Sequence, residues 1–252
     1  MAKSPPIVLV FAASDPTGGA GIQADILTLA ACGCHPISVV TALTVQDTSG
    51  VERVHAVDSG LVADQARCLL ADFEVAAFKV GVLGSAQNVQ AVARLLADQT
   101  HAPLIVDPVL ASGRGDALAG EDSIAHMQKH LFPLTTLATP NSLEADRLGG
   151  VGAMLGAGCR YVLVTGTHDE GADVVNRLHD AGGLVREDRW PRLAGSYHGS
   201  GCTLASAIAA ALAKGLSIPE AVHDAQEYTW QALAAGFRPG AGQFIPQRFF
   251  NP

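Results

Sequence analysis

Basic residues are scarce in this chain, with 16 Lys and Arg against 24 Asp and Glu, a net charge of −8 and only 5% aromatics. No basic run interleaved with aromatics exists, which excludes nucleic acid as the main partner. A nucleotide is not excluded, because phosphates are held equally well by Mg²⁺, backbone N–H groups and helix N-termini. The five cysteines, Cys32, Cys34, Cys68, Cys159 and Cys202, are odd in number and scattered. They read as reduced thiols of a cytoplasmic protein, and the spacing of Cys32 and Cys34 is not that of a redox or zinc pair. No stretch approaches eighteen apolar residues, so no membrane span is expected, and Met1 to Pro6 lacks the pattern of a secretory signal. The nine histidines show no metal-binding spacing such as HExxH. His35, His55, His101, His126 and His130 are therefore read as surface or cap residues.

What the chain has in abundance is apolar material, 48% of 252 residues, enough for one domain spanning residues 1–252. Short apolar runs recur at Ile7 to Ala12, Ile37 to Leu43, Ala76 to Val80, Leu104 to Val106 and Tyr161 to Thr165. Helix-period segments lie between and after them, near Ala20 to Ala31, Leu61 to Leu70, Ala86 to Leu96, Asp122 to Leu131, Gly201 to Lys214 and Pro219 to Ala235. This rhythm predicts an α/β fold with a central, mostly parallel sheet flanked by helices on both faces. The Gly182-Gly183 turn within Asp173 to Trp190 predicts a β-hairpin. Ligands of such sheets bind beyond the carboxyl ends of the strands, so the loops after each run are the places to search.

Gly199-Ser200-Gly201-Cys202 directly precedes an alanine-rich helix. Its glycines let successive N–H groups point at one spot, and the helix dipole adds positive potential there, which makes an anion hole. A thiol at a helix start is expected to have a lowered pKa, so Cys202 is a candidate to take the proton of a substrate hydroxyl attacking the γ-phosphorus of ATP. A helix cap with a small buried cysteine is the competing explanation. His198 adjoins this run without an assigned role.

The loop from Asp15 to Gly21 lacks the Gly-Lys-Ser/Thr of a P-loop and does not fit GxGxxG, so it reads as a pocket wall or a plain turn. Asp25, one turn beyond, reads as a substrate hydrogen-bonding group or a solvated helix-face residue. Gln46 follows a strand and offers a donor and an acceptor to a ring edge. Asn141 and Glu144 either organise Mg²⁺ and water or form a capping box, and Asp107 before Pro108 either joins the Mg²⁺ network or shapes a turn. Lys79 faces a phosphate or pairs with a carboxylate.

Together these segments resemble the hydroxymethylpyrimidine/phosphomethylpyrimidine kinase family of thiamine biosynthesis, within the ribokinase-like kinases. The resemblance rests on residues 13–25, ASDPTGGAGIQAD, then on Val40 to Thr48, Lys79 to Leu83, Asp107-Pro108-Val109, Thr139 to Glu144 and His198 to Thr203, in order over roughly the whole chain. It implies a three-layer α/β/α ribokinase-like fold and an ATP-dependent phosphorylation of a hydroxymethylpyrimidine and then of its monophosphate. Asp25 and Gln46 would bind the pyrimidine, with Ala13, Ala20, Thr44, Val82 and Val109 lining its pocket. Cys202 would be the base, with Gly199, Ser200 and Gly201 stabilising the transferring phosphoryl group. Asn141, Thr165 and Gly166 would lie by the nucleotide, and Asp107 and Glu144 would hold Mg²⁺ through water. The resemblance also implies a homodimer and admits K⁺ as a helper.

Ser200 and Asp47 stand where the family usually has Thr and Asn. The segment from Ala145 to Arg160 is short for the helix expected there and carries five glycines, poor helix formers. A pyridoxal or pyridoxine kinase and a non-catalytic pyrimidine-binding protein are the alternative readings.

Overall fold

The computed structural model describes residues 4–250 apart from 112–114 and 116–117. Nine strands form one sheet: β1 (Ile7–Ser14), β2 (His35–Gln46), β3 (Val51–Ala56), β4 (Ala77–Val80), β5 (Leu104–Val106), β6 (Leu137–Ala138), β7 (Tyr161–Thr165), β8 (Asp173–Asp180) and β9 (Gly183–Pro191). Their order is β3-β2-β1-β4-β5-β6-β7-β8-β9. Strands β2, β1, β4, β5, β6 and β7 run parallel, and β3, β8 and β9 pair antiparallel at the edges.

The period of two along β1 distributes its side chains to both faces. Leu9 and Phe11 join Phe78, Val80 and Val106 in one core, while Val8, Val10 and Ala12 join Ala77, Ile105 and Leu163 in another. Helices α1 (Gly21–Ala31), α7 (Ser200–Ala213) and α8 (Ile218–Ala234) cover the second face, through Ile22, Leu29, Ile208 and Val222. Helices α2 (Ser59–Asp72), α3 (Ala86–Leu96), α4 (Glu121–His126), α5 (Ser142–Arg147) and α6 (Gly150–Gly156) lie in the remaining connections, and Val62, Val92, Ile124 and Met154 pack onto the first face. The expected three layers are therefore present. Strand β1 lies between β2 and β4, so the order of strands reverses around it, and the crevice beyond its carboxyl end is where ligands of such sheets collect.

The structure departs from the sequence expectation at four places. Strand β3 was not expected, because Glu52, Arg53 and His55 interrupt its apolar residues as an edge strand allows. Strand β6 is two residues long, too short to show a period. The helix expected from Asp122 to Leu131 changes at Met127 into a wide π turn, Met127–Leu131, followed by a 3₁₀ turn, Phe132–Leu134. Residues 142–156 form two short helices, separated where Gly149 and Gly150 take φ of 88° and 84°, values that favour glycine.

Phe78, 1% exposed, fills the first core beside β1. Phe78→Ala is expected to destabilise the fold by about 3–5 kcal/mol through lost burial and a residual cavity. Urea denaturation followed by circular dichroism measures this, and a loss under about 1 kcal/mol would contradict the packing described.

Candidate active site

A cavity of ≈ 550 Å³ opens beyond the carboxyl ends of β1, β4 and β5 and extends from Thr44 and Gln46 on β2 to Trp190 on β9 and Trp230 on α8. Two loops close over its centre. In the first, Asp15 accepts hydrogen bonds from the Thr17 and Ala20 amides at 2.8 Å each and from the Thr17 hydroxyl at 2.9 Å, which folds the loop around one carboxylate. In the second, His198 Nε2 lies 2.8 Å from Asp15 Oδ2, and Gln46 Nε2 lies 3.3 Å from the same imidazole nitrogen. Burial pushes Asp15 upward, yet the hydrogen bonds from His198, Thr17 and Ala20 outweigh it and hold its pKa at about 2. The loops meet at glycines. A Cβ on Gly199, whose φ is 79°, would collide with the Gly19 carbonyl oxygen.

Beneath the helix start lies a buried ion pair. Lys79 Nζ on β4 donates to Asp25 Oδ2 on α1 at 2.9 Å, and the Ser206 hydroxyl on α7 donates to Asp25 Oδ1 at 2.8 Å. Both ionic side chains are 0% exposed. Burial alone would lower the Lys79 pKa, but Asp25, Cys202 and Asp107 around it raise it, so the site contains a permanent cation. Cys202 is half-buried and lines the cavity at the start of α7. Its thiol is not lowered as a helix start suggests. Burial pushes it up to about 12, with Asp25 and Asp107 adding to the shift and Lys79 opposing it.

Asp107 follows β5, and burial raises its pKa to about 6, against the pull of Lys79. Its Oδ2, like the Thr139 hydroxyl on the same cavity, is buried without a hydrogen-bond partner. Glu144 has both oxygens on backbone amides, Oε1 on Leu110 at 3.1 Å and Oε2 on Asn141 at 3.0 Å. Asn141 accepts from the Glu144 amide in return, so this pair is indeed a capping box as well as a part of the cavity. Burial and the neighbouring Asp107 raise Glu144 to about 7.

The profile of the family described as phosphomethylpyrimidine kinase matches residues 15–247. The chain belongs to that family. The hydroxymethylpyrimidine/phosphomethylpyrimidine kinase of Streptomyces coelicolor is 44% identical over 255 residues, spanning 95% of this chain and 93% of that protein. Among solved structures, the phosphomethylpyrimidine kinase from Clostridium difficile 630 is 32% identical with a TM-score of 0.78, over 90% of this chain and 99% of that one. The pyridoxal kinase from Staphylococcus aureus in complex with ADP superposes with a TM-score of 0.89 at 25% identity, over 98% and 94% of the two chains. The fold is thus ribokinase-like and the protein is a phosphotransferase, and the purely binding reading is not retained.

Within this phosphomethylpyrimidine kinase fold, most residues expected at the site share one cavity. Ala13, Ala20, Thr44, Gln46, Val82 and Val109 line one end, Gly199 to Cys202 and Asp107 its centre, and Asn141, Glu144 and Thr165 its far side. Two expectations are corrected. Asp25 is neither solvated nor on the cavity wall, because α1 carries it under the loops, where Lys79 and Ser206 take both its oxygens. Gly166 is not on the wall either: its N–H donates to Asn176 Oδ1 at 3.1 Å, and a Cβ there would meet the Val175 carbonyl at 2.4 Å. The wall beside it comes instead from side chains the sequence did not single out. Gln226 Oε1 accepts from Asn176 at 2.7 Å and from Trp190 Nε1 at 3.0 Å, which ties the β8–β9 hairpin to α8.

Asp107 and Glu144 bind protons more tightly in the folded protein than at their ordinary values of 3.8 and 4.5. Ligand-free stability therefore falls as pH rises from those values through about 6 and 7. Asp15 has the opposite sign, since its contribution is present above 3.8 and is lost as pH falls toward about 2. Denaturation midpoints across this range are expected to decline less in Asp107→Asn/Glu144→Gln than in the parent protein. Equal slopes in the two proteins would contradict the assignment.

Proposed function

We propose that this chain transfers the γ-phosphoryl group of ATP to the hydroxymethyl oxygen of 4-amino-5-hydroxymethyl-2-methylpyrimidine and then phosphorylates the resulting monophosphate, on the route to thiamine. The observation that carries the reading is the cavity itself, whose two ends meet at the start of α7, with Cys202, Lys79 and Asp107 around the meeting point. The pyrimidine end offers Gln46 and the small side chains Ala13 and Ala20, which suit a flat ring with polar edges. The hydroxyl oxygen attacks the γ-phosphorus, the bond to the ADP oxygen breaks, and the hydroxyl proton passes to Cys202 as its thiolate. Backbone N–H groups of residues 199–202 meet the charge on the transferring group. A thiol held near 12 is protonated when the site is empty, and the fixed Lys79 cation and a Gly21 backbone hydrogen bond favour its ionisation.

Asp107 and Glu144 fit a Mg²⁺ site shared with phosphate oxygens and water. Asp107 Oδ2 and Thr139 Oγ1 are buried oxygens facing each other's side of the cavity with hydrogen-bonding capacity left over, and since no three His, Cys, Asp or Glu side chains converge among the described residues, phosphate and water would supply the remaining ligands. Bound Mg²⁺ would supply positive charge against the ATP phosphates. Thr165 and Asn141, whose backbones bridge β7 to the start of α5, would border the nucleotide, with Trp190 and Trp230 at the far end for its base. The reading includes a homodimer, K⁺ as an assisting ion and a cytoplasmic location; all five cysteines are free, as a reducing compartment requires. Sedimentation and exchange of K⁺ for Na⁺ in the assay test the first two.

Cys202→Ala is expected to lower kcat by about 10²–10⁴-fold with pyrimidine binding retained. The neighbouring Asp107 carboxylate is the second candidate base, and near-normal turnover in Cys202→Ala with collapse in Asp107→Asn would transfer the role to it. ADP release coupled to NADH oxidation, with the pyrimidine limiting, is expected to give two ADP per pyrimidine. A single ADP would end the two-step reading, and a higher kcat/KM for pyridoxine than for the pyrimidine would replace the substrate.

A further inference from the structure

The residues after α8 return to the active site and insert one arginine beneath it. Phe237 and Ile245 exchange backbone hydrogen bonds of 3.0 and 2.8 Å, the His198 amide donates to the Phe244 carbonyl at 2.8 Å, and the Tyr228 hydroxyl donates to the Arg248 carbonyl at 2.8 Å. This strap delivers Arg248, 3% exposed, to the junction of the two glycine loops. Its Nη2 donates to the Gly19 carbonyl at 2.6 Å, and its Nε donates to the Thr203 hydroxyl at 3.2 Å. The Thr203 hydroxyl in turn donates to the Gly199 carbonyl at 2.8 Å. The Gly19 carbonyl is the group that a Cβ on Gly199 would strike, so one guanidinium holds the contact at which the loops touch.

We infer that Arg248 is a positioning residue for phosphoryl transfer, its guanidinium clamping the Gly19 carbonyl and the Gly199-Thr203 turn so that the amides of residues 199–202 stay aimed at the transferring phosphoryl group. The inference rests on reading residues 199–202 as the anion hole. A guanidinium buried for stability alone is a poor choice, since apolar residues of similar volume are often as stabilising or more so. Its fork, however, spans an acceptor on the first glycine loop and one on the first turn of α7, which neither an apolar side chain nor a lysine point charge does. The buried carboxylates Asp15 and Asp25 are engaged by His198 and Lys79, so the Arg248 charge is not consumed in a salt bridge among the described residues and adds to the positive field at the start of α7.

The test compares the parent protein with Arg248→Ala, Arg248→Gln and Arg248→Lys, with circular dichroism and melting confirming the fold of each. Loss of the clamp is expected to lower kcat by about 10–100-fold in the Ala and Gln variants while the KM for pyrimidine changes less than about threefold. Arg248→Lys is expected to recover only part of kcat, and added methylguanidine to restore part of it in Arg248→Ala. Should Arg248→Ala fail to fold, the Gln and Lys variants carry the comparison. An unchanged kcat, or a fall in melting temperature with normal kcat in the folded fraction, overturns the inference and makes Arg248 a structural brace. Gly201→Val separates the two readings: if it retains kcat, the anion hole and the Arg248 inference both fail, whereas loss of kcat there with full activity in the Arg248 variants removes the inference alone.

Discussion

The ion pair between Lys79 and Asp25 ties the central sheet to two helices of one face at the place where the chemistry occurs. Lys79 comes from the central strand β4, Asp25 from α1, and Ser206, which caps the other carboxylate oxygen, from α7. Two charges removed wholly from water carry a large desolvation penalty, which their attraction offsets only when geometry and additional hydrogen bonds are favourable. Breaking either partner would strand a charge wholly buried between the sheet and the alanine-rich α7. The pair thereby fixes how α1 and α7 sit on the sheet, and both glycine loops begin or end on those two helices. Its cation, with a backbone hydrogen bond from Gly21, also opposes the combined effects of burial, Asp25 and Asp107 on the Cys202 thiol.

The carboxylates near the phosphate path follow from the same balance. Asp107 and Glu144 are pushed upward by burial and, in the case of Glu144, by each other's proximity. An empty site of this kind is short of positive charge. An acidic chain with few basic residues thus handles a polyanion by leaving its oxygens partly unsatisfied, so that a divalent cation arriving with the phosphates completes them, while backbone amides at helix starts do the remainder. Asp15 is the counterexample that proves the role of local hydrogen bonds: equally buried, it is held near 2 because His198 and two amides point at it.

The layered fold was legible because most central strands are compact apolar runs and several helices carry a cap, as with Ser85 before α3 and the Ser217–Glu220 capping box of α8. The strands that escaped were those whose form is imposed by neighbours: β3 with its charged residues lies against β2, and the two residues of β6 are held between β5 and β7. At the site, the motif loops announced themselves by glycine, proline and asparagine at turn positions. Asp25 misled for a physical reason, since nothing in an isolated Asp on a helix reveals that a lysine from a strand 54 residues later will be aimed at it. Cys202 misled in the same way, because a helix dipole is a local property visible in sequence, whereas the burial that outweighs it is not.

Residues that act from a distance in sequence form a class of their own. Asn176, Gln226 and Trp190 come from three elements and assemble one network, and Arg248 reaches Gly19 across 229 positions. Asn176, Trp190 and Arg248 sit in no turn signature, and Gln226 is a polar residue on the otherwise largely apolar buried face of α8. Each supplies a hydrogen bond to a backbone group that a glycine-rich loop leaves exposed: the Gly166 amide in one case, the Gly19 carbonyl in the other. Loops rich in glycine gain close approach to phosphate at the cost of rigidity, and a buried polar side chain from elsewhere in the fold is the means of restoring that rigidity without adding a Cβ where the loops touch. The motif and its distant brace are therefore two halves of one solution, and only the first half is written in contiguous residues.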